Sequence, residues 1–288
     1  MKEIPIKKID SSDNPSLTNA GFRIRDLRHV LDGKDMVQRL HRHDFYFILV
    51  LKKGRGNHTI DFTSYPVKDD SVFILRPGQV HELELKKGCS GYLIEFKSDF
   101  FSTRHNESVQ LLRKLANTNY CHVGGQTFKK KLFSLLTYVF QEYDSKQEGY
   151  LEVIKSNLNI FFIELQRHRK NRKDSSRKSN AFAQERLDQL LELLETHITS
   201  HKQAAEYADM LNLSPYQLNA ITKTTLGKTC SELIDEQIVL ESKRYLLATS
   251  KQVNQIAYQL GYEDASYFIR FFKKKTGYTP EHFRNNFK

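Results

Sequence analysis

The sequence from Ile256 to Pro280 reads IAYQLGYEDASYFIRFFKKKTGYTP and decides the fold of the C-terminal part of the chain. It predicts a short helix, a tight turn at Gly261, an N-cap at Asp264 and a second helix. A related pattern lies about 50 residues earlier, where Ser214 followed by Pro215 marks a helix start. We therefore predict two copies of one helix-turn-helix unit.

The two copies match at eight positions. The offset is 49 residues for the first two matched pairs and 50 for the others, so one residue is inserted in the second turn. Gly261 can adopt a positive φ in that turn, and Asn212 takes the equivalent place in the first copy. The matched residues are Ala208, Leu211, Ser214, Leu218, Ile221, Lys223, Gly227 and Thr229 in the first copy, and Ala257, Leu260, Asp264, Phe268, Phe271, Lys273, Gly277 and Thr279 in the second.

A predicted helix from about Cys230 to Thr249 connects the two units. Leu233, Leu240 and Leu247 recur along it at heptad spacing. At 1.5 Å per residue this helix is ~30 Å long, close to the ~34 Å between successive major grooves on one face of B-DNA. A single chain could therefore read two consecutive grooves.

The length indicates two domains, and the net charge suggests a nucleic-acid partner, although the position of the charge along the chain matters more than its total. The chain has 288 residues and a net charge of +11, but residues 181–288 hold 13 Lys and Arg against 13 Asp and Glu. A large part of the excess of basic over acidic residues lies in the segment from Arg167 to Lys178, which has seven basic residues and one acidic residue. Such a run is typical of a solvated linker, although it can also attract phosphates.

The composition is that of a globular protein, with 39% hydrophobic and 27% charged residues. The longest aliphatic and aromatic run, Phe45 to Leu51, is too short to span a membrane, and the N-terminus does not resemble a secretion signal. Cys89, Cys121 and Cys230 are widely spaced and odd in number, which fits neither a disulfide framework nor a zinc knuckle. We expect a cytoplasmic protein with reduced cysteines.

The N-terminal part is predicted to be a small barrel or sandwich. Between about Gly21 and Phe96, β-branched and aromatic runs are separated by Gly, Pro and Asp. The clearest predicted strands are Phe45 to Leu51, Thr59 to Phe62, Ser71 to Leu75, Val80 to Leu85 and Tyr92 to Phe96.

Apolar residues then follow a helical period between Phe128 and Tyr143 and between Leu151 and Leu165, with Gly149 in the intervening turn. This pattern predicts an antiparallel hairpin. Its apolar stripes either cover the barrel or pair partly with a second subunit. The following stretch, Asn171 to Asn180, has no strongly apolar residue and is predicted to be the domain boundary.

The second repeat resembles the signature of the AraC family of bacterial transcription regulators over almost all of Ile256 to Pro280, and Arg284 also matches that family's pattern. The resemblance is strong from about residue 185 to residue 287 and loose before it. It implies a multidomain α and β protein: an N-terminal cupin-like β-barrel with a helical hairpin, followed by an all-α domain with two helix-turn-helix motifs. We predict a cupin-like sensor domain (residues 1–125), a hairpin that dimerises (126–170), a basic linker (171–180) and the DNA-binding domain (181–288).

The resemblance also implies base-facing positions on the second helix of each unit. On the first of these helices, Tyr216, Asn219 and Ala220 match such positions, and Gln217 projects from the same side. Gln and Asn can pair bidentately with adenine. Ala220 departs from the larger polar residue often found at its position, so this helix reads bases weakly or only touches a thymine methyl.

On the last recognition helix, Arg270 is the best candidate for a guanine contact. Lys223, Lys273 and Lys274 are expected to contact phosphates, which positions the protein without reading sequence. For each polar residue the alternative is a solvated helix face. The matched base-facing set on this helix is Ala265, Ser266, Ile269 and Arg270.

The segment from His41 to His43 and the segment from Pro77 to His81 resemble fragments of the cupin motifs. In catalytic cupins, histidines so spaced bind a metal together with a glutamate. Here the expected position of that glutamate falls among Phe45, Tyr46 and Phe47. We therefore expect no catalytic residue, no cofactor and no metal, although histidine trios without a carboxylate can bind zinc.

Sensor domains of the AraC family look like cupins that kept a pocket and lost a reaction. The resemblance thus implies an effector pocket whose polar lining is His41, His43, Tyr46 and His81. The alternative is that these histidines only satisfy hydrogen bonds at strand ends.

We predict a non-enzymatic, dimeric regulator that binds double-stranded promoter DNA, responds to a small-molecule effector of unknown identity and, if it is an activator, contacts RNA polymerase. One alternative is a metal-dependent cupin enzyme with an accessory helical domain. Another is an effector-independent regulator whose N-terminal part serves only for pairing.

Overall fold

The computed structural model describes residues 6–7, 21–101, 107–174 and 181–287. These residues divide into two compact units, one ending at residue 174 and the other beginning at residue 181. None of the helices in the described ranges combines the length and apolar character that a bilayer span requires.

In its described residues, the N-terminal unit consists of two five-stranded sheets and four helices. One sheet has the strand order β1-β3-β8-β5-β6 and the other has the order β10-β7-β4-β9-β2. The pairing is antiparallel except between β1 and β3. The elements are β1 (Ile6–Lys7), β2 (Phe22–Asp26), α1 (Leu27–Leu31), β3 (Met36–His43), β4 (Tyr46–Lys53), β5 (Gly56–Ile60), β6 (Thr63–Val67), β7 (Ser71–Leu75), β8 (Val80–Leu85), β9 (Ser90–Phe96), α2 (Glu107–Ala116), β10 (Tyr120–His122), α3 (Gln126–Ser145) and α4 (Tyr150–Asp174).

Strand β4 is buried on both faces, which explains its continuous apolar sequence. Phe47, Leu49 and Leu51 point into the interior between the sheets. Tyr46 and Ile48 lie on the opposite face, in the core that the sheet forms with α2, α3 and α4. The alternation follows from the two-residue period of a strand.

Two predicted strands, Ser71 to Leu75 and Val80 to Leu85, are confirmed at both ends. The prediction of a strand from Thr59 to Phe62 is wrong in its second half. Ile60 pairs with Thr63, and Asp61 and Phe62 between them have φ values of 46° and 69°. They form the two-residue turn of a hairpin, where a twist-matched connection requires positive φ at both positions.

Helices α3 and α4 form the predicted hairpin, and Gly149 has a φ of 77° in the turn. Apolar residues of both helices, such as Leu136 and Phe161, pack onto the sheet that contains β4. Helix α4 continues to Asp174, four residues into the segment predicted as linker, because Lys and Arg have good helix propensity even without an apolar neighbour. The rest of that segment, residues 175–180, lies outside the described residues.

The C-terminal unit is entirely helical in its described residues, as predicted. Its helices are α5 (Ala181–His197), α6 (Ala204–Met210), α7 (Pro215–Leu226), α8 (Cys230–Ala248), α9 (Val253–Gln259), α10 (Ala265–Thr276) and α11 (Pro280–Phe287). The first helix-turn-helix is α6 and α7, the second is α9 and α10, and α8 is the predicted connecting helix.

The predicted turn and cap residues of the two helix-turn-helix units are confirmed. Gly261 and Asn212 have φ values of 74° and 54°. The Ser214 hydroxyl accepts a hydrogen bond from the Gln217 amide at 3.2 Å, and the Asp264 carboxylate accepts one from the Ser266 amide at 2.7 Å. Each cap satisfies a backbone donor that the first turn of a helix leaves unpaired.

Candidate DNA-binding face and buried histidine cluster

Helix α7 buries one face and exposes the other. Leu218 and Ile221 are buried in the unit, whereas Tyr216 is 84% exposed. Gln217, Ala220 and Lys223 are exposed as well. The predicted contact residues of α7, with the exception of Asn219, therefore lie on its solvent face.

Gln217, a predicted base contact, also takes part in the N-terminal cap of α7. Its side-chain oxygen accepts a hydrogen bond from the Ser214 amide at 2.8 Å, which completes a capping box. A bidentate contact with adenine needs both the oxygen and the nitrogen of the amide group. While the cap is intact, one lone pair of the Gln217 oxygen is used and the Ser214 N–H fixes the orientation of the amide group, which restricts its contacts with a base.

Asn219 is half-buried and does not lie free on the predicted reading face. Its side-chain oxygen accepts a hydrogen bond from the backbone N–H of Cys230, the first residue of α8, at 2.9 Å. The side chain thus connects α7 to the start of the connecting helix. In this arrangement one lone pair of its oxygen is used, and the Cys230 N–H fixes the orientation of the amide group.

Helix α10 is also two-sided. Phe268 and Phe272 are fully buried, whereas Ser266, Arg270, Lys273 and Lys274 are exposed. Ala265 and Ile269, the other two predicted base-facing residues, are half-buried at the edge of this face. The three lysines in the last turn of α10 also interact favourably with the helix dipole.

The structure separates Lys275 from its neighbours Lys273 and Lys274. Its ammonium group forms an ion pair at 2.6 Å with Asp235 of α8. This lysine therefore links two helices of the unit, and the positive surface of α10 is carried by Arg270, Lys273 and Lys274.

Tyr267 is an exposed residue of α10 that is not among the predicted contact residues. It is 58% exposed and lies three residues before Arg270 and seven before Lys274, on the same helix face. The helical period could have identified it, but a tyrosine between buried aromatic residues also fits a core position.

Four histidines form a buried cluster inside the N-terminal unit. His41, His43, His58 and His81 are each at most 4% exposed. His41 faces His81 directly across the β3–β8 pair. His58 on β5 was not selected from the sequence, although it shares the inward-facing period of Ile60.

Hydrogen bonds connect three of these imidazoles in series. His58 Nε2 lies 2.8 Å from His81 Nδ1, and His81 Nε2 lies 2.7 Å from His43 Nε2. Burial lowers the pKa of His41 to about 4 and that of His43 and His58 to about 3, and it lowers the pKa of His81 as well. All four rings are therefore neutral at neutral pH.

Tyr46 does not belong to this cluster. Its ring stacks on Phe96 with centroids 5.4 Å apart, in the core beneath α3 and α4. Because successive residues of β4 point to opposite faces, Phe45 and Phe47 contact His43 instead, with ring centroids 4.3 Å and 5.2 Å away. The predicted lining thus divides into three histidines that come together and one tyrosine that does not.

An open cleft lies elsewhere on this unit. It has a volume of about 640 Å³, and its lining includes Arg28, Lys52, Lys53, Tyr92 and Phe133. The volume falls within the range of roughly 300–1,000 Å³ that is usual for small-molecule sites. The histidines do not line it.

The histidine cluster fits a metal ion, the group that catalytic cupins hold at such positions. One ring nitrogen from each of His41, His43 and His81 lies within 4.8 Å of the other two. Nε2 of His41 is buried and has no hydrogen-bond partner among the described residues. Neutral imidazole nitrogens are good ligands for zinc and copper, so these three residues could hold such an ion.

Two domain families match the chain. The helix-turn-helix domain matches residues 207–286, and the AraC-like ligand-binding domain matches residues 32–117. Together these matches cover more than half of the chain.

Individual relatives are similar to this chain either over a short segment or at low sequence identity. AdaA of Bacillus subtilis, a bifunctional transcriptional activator and DNA repair enzyme, is 37% identical over 98 residues, which are 34% of this chain and 46% of AdaA. The match thus spans less than half of AdaA. The transcriptional activator RhaS of Escherichia fergusonii is 22% identical over 253 residues, which are 85% of this chain and 86% of RhaS.

Among solved structures, fatty-acid-bound ToxT from Vibrio cholerae aligns over 91% of this chain and 94% of its own, with 18% identity and a TM-score of 0.40. The two domain matches, in the order ligand-binding domain and then helix-turn-helix domain, carry the assignment together with RhaS. The chain belongs to the AraC family of DNA-binding transcription regulators.

Proposed function

We propose that this regulator reads two successive major grooves of one duplex, with α7 in one groove and α10 in the next. The observation that supports this most directly is that both helices bury an apolar face and expose a polar one. The 19 residues of α8 between the two units make a connector of about 28 Å, comparable with the ~34 Å repeat of a groove on B-DNA.

The proposed contacts on α10 are of two kinds, contacts with base edges and contacts with phosphates. Arg270, with Ala265, Ser266 and Ile269, faces base edges, and Arg270 pairs with guanine. Lys273 and Lys274, like Lys223 on α7, contact phosphates.

The proposed contacts on α7 are fewer than the sequence indicates. Tyr216, Gln217 and Ala220 face the groove, whereas Asn219 positions the helix through Cys230. Because Gln217 also serves the cap, α7 reads fewer base positions than α10.

We further propose that a small molecule controls DNA binding through the N-terminal unit, which the match to a ligand-binding domain supports. The open cleft beside Lys52 and Lys53 is a better candidate for the effector site than the closed histidine cluster, since a ligand of drug size needs a cavity of several hundred cubic ångströms.

The proposed homodimer uses the α3–α4 hairpin, where Tyr138 and Ile160 are 45% and 43% exposed. RNA polymerase is the proposed further partner of an activator.

The DNA proposal is tested by selecting bound sequences from a random duplex pool with the full chain. The expected result is two conserved half-sites about one helical turn apart for each chain. Arg270→Ala is then compared with Lys228→Ala, which removes an equal charge from an exposed ion pair with Glu236 in the same unit. Arg270→Ala should cost ~1–3 kcal/mol and relax one base position, while Lys228→Ala retains the preference.

If Arg270→Ala binds the selected duplex and the random duplexes each with its wild-type affinity, the reading role is excluded. The effector is sought separately by thermal-shift screening of the full chain, because a ligand at 100 times its Kd adds ~2.7 kcal/mol of stability. Lys52→Ala should weaken the response to a ligand bound in the cleft.

A further inference from the structure

The tautomer of His41 can be assigned from its surroundings. Its Nδ1 atom lies 2.7 Å from the backbone carbonyl oxygen of Arg39, and a carbonyl oxygen only accepts hydrogen bonds. Nδ1 must therefore carry the proton. In the neutral ring the lone pair is then on Nε2, the buried atom that has no hydrogen-bond partner among the described residues.

A buried lone pair without a partner costs free energy, so an unsatisfied acceptor in a tightly packed interior points to a missing group. A backbone carbonyl that receives the other ring N–H is also the usual support of a metal-binding histidine. His41 thus has the orientation and the protonation state of a ligand.

His81 and His58 have a related arrangement. When His81 donates from Nδ1 to Nε2 of His58, 2.8 Å away, the lone pair of His81 is on Nε2, which faces His43. His58 then accepts the Nδ1 proton of His81, just as the Arg39 carbonyl oxygen accepts the Nδ1 proton of His41. It lies on a different strand, β5, and outside the two motif fragments that suggested the cluster.

The spacing suits a small transition-metal ion. Nitrogen ligands about 2.0–2.1 Å from a tetrahedral Zn²⁺ lie roughly 3.3 Å from one another. The closest pair in the cluster, His43 Nε2 and His81 Nε2, is 2.7 Å apart, and the ligand nitrogens of the trio all lie within 4.8 Å. An ion would replace the hydrogen bond between His43 and His81: the proton on His43 Nε2 moves to Nδ1 of the same ring, and small ring rotations bring both Nε2 atoms to the ligand spacing. An all-nitrogen set disfavours Mg²⁺ and Ca²⁺, which prefer oxygen ligands.

We propose that His41, His43 and His81 bind a divalent transition-metal ion of the Zn²⁺ class, and that His58 is the positioning residue that orients His81 for it. This departs from the expectation of no metal that followed from the missing glutamate. The ligand set is three neutral imidazoles supported by a fourth, without the carboxylate.

The test uses the full chain, freed of metal with a chelator and titrated with Zn²⁺ by calorimetry. We expect one Zn²⁺ per chain and, with Co²⁺ in its place, the visible absorption of a nitrogen-ligated tetrahedral ion. His41→Gln, which keeps a donor for the Arg39 carbonyl, should abolish both signals. His201→Ala should change neither, because His201 belongs to a separate contact with His197 in the other unit.

His58 is examined with two variants. His58→Leu removes the acceptor of the His81 proton and should weaken Zn²⁺ binding about 10- to 100-fold, as the loss of an outer-shell partner does. His58→Gln restores an acceptor oxygen and should recover most of that affinity. The melting temperature of each variant without zinc shows whether the domain remains folded.

A wild-type chain that binds Zn²⁺ no more tightly than His41→Gln overturns the site. A folded His58→Leu protein with wild-type affinity overturns the role of His58. The Co²⁺ spectrum of the wild type decides the question without any variant, because its absence in the presence of excess Co²⁺ also excludes the site.

Discussion

The side-chain oxygen of Asn219 accepts a hydrogen bond from the backbone N–H of Cys230 at 2.9 Å. Cys230 is the first residue of α8, where the backbone N–H groups have no partner within the helix. Asn219 therefore joins the first recognition helix to the helix that sets the spacing of the two units, at a position where the family pattern indicates a base contact.

Replacing Asn219 should act on stability more than on sequence preference. Asn219→Ala leaves the N–H of Cys230 without its acceptor and should cost about 1–2 kcal/mol in urea unfolding of the full chain. Asn219→Asp keeps the acceptor and adds a negative charge near a helix N-terminus, so it should retain wild-type stability. A stable Asn219→Ala protein that has lost its preference at one base pair would instead identify Asn219 as a reader.

Gly261 should not tolerate a side chain. Its φ is 74°, and a Cβ atom there would lie 1.8 Å from the backbone carbonyl oxygen of Thr199. Gly261→Ala combines backbone strain with this clash and should lower the free energy of unfolding by more than ~2 kcal/mol. The matched control is Asn212→Gly in the other turn, where φ is 54° and glycine is allowed, so a change within about 1 kcal/mol is expected. Equal effects of the two substitutions in thermal unfolding would contradict this account.

Substitution of Arg284 should mainly lower the free energy of unfolding, whereas substitution of Arg270 should mainly change the base preference. Arg284 is buried and donates hydrogen bonds to the carbonyl oxygens of Leu246, at 3.0 Å, and Lys251, at 2.6 Å, which attaches α11 to the end of α8. Arg284→Ala removes both charge-assisted bonds and should cost about 3 kcal/mol or more, with the base preference of the remaining folded protein unchanged. Arg270→Ala, at an exposed position, should change stability by less than about 0.5 kcal/mol while it relaxes the base preference.

Urea unfolding and competition binding with single-base duplex variants measure these two effects. The opposite result, an unstable Arg270→Ala protein and a stable Arg284→Ala protein that has lost its base preference, would reverse the two assignments.

Tyr267 should contribute to DNA affinity. It lies on the α10 face that carries Arg270 and Lys274, and a hydroxyl there can donate to a phosphate. Tyr267→Phe should weaken binding to specific and random duplexes alike, by about 10- to 100-fold, since one hydrogen bond to a charged group contributes ~1.5–3 kcal/mol. Tyr65→Phe, on β6 of the other unit, is the control and should leave DNA binding unchanged. A Tyr267→Phe protein with wild-type affinity at several salt concentrations would exclude the contact.

Several features of the C-terminal unit follow from the amino-acid sequence alone. The duplicated pattern, the caps at Ser214 and Asp264, the positive φ of Gly261 and Asn212 and the extent of α8 were all predicted correctly. These features depend on local backbone preferences and on the period of apolar residues, and both are properties of neighbouring residues in the chain.

Only the tertiary structure decided which polar side chains are free and which have partners. Asn219 contacts the start of a different helix, Lys275 pairs with Asp235, and His58 joins three histidines from two other strands. These contacts join residues that are distant in sequence or on separate elements, and the same residue types suit an exposed helix face or a strand equally well. The period of a helix or strand shows on which side a residue lies, but its partner depends on how the elements pack.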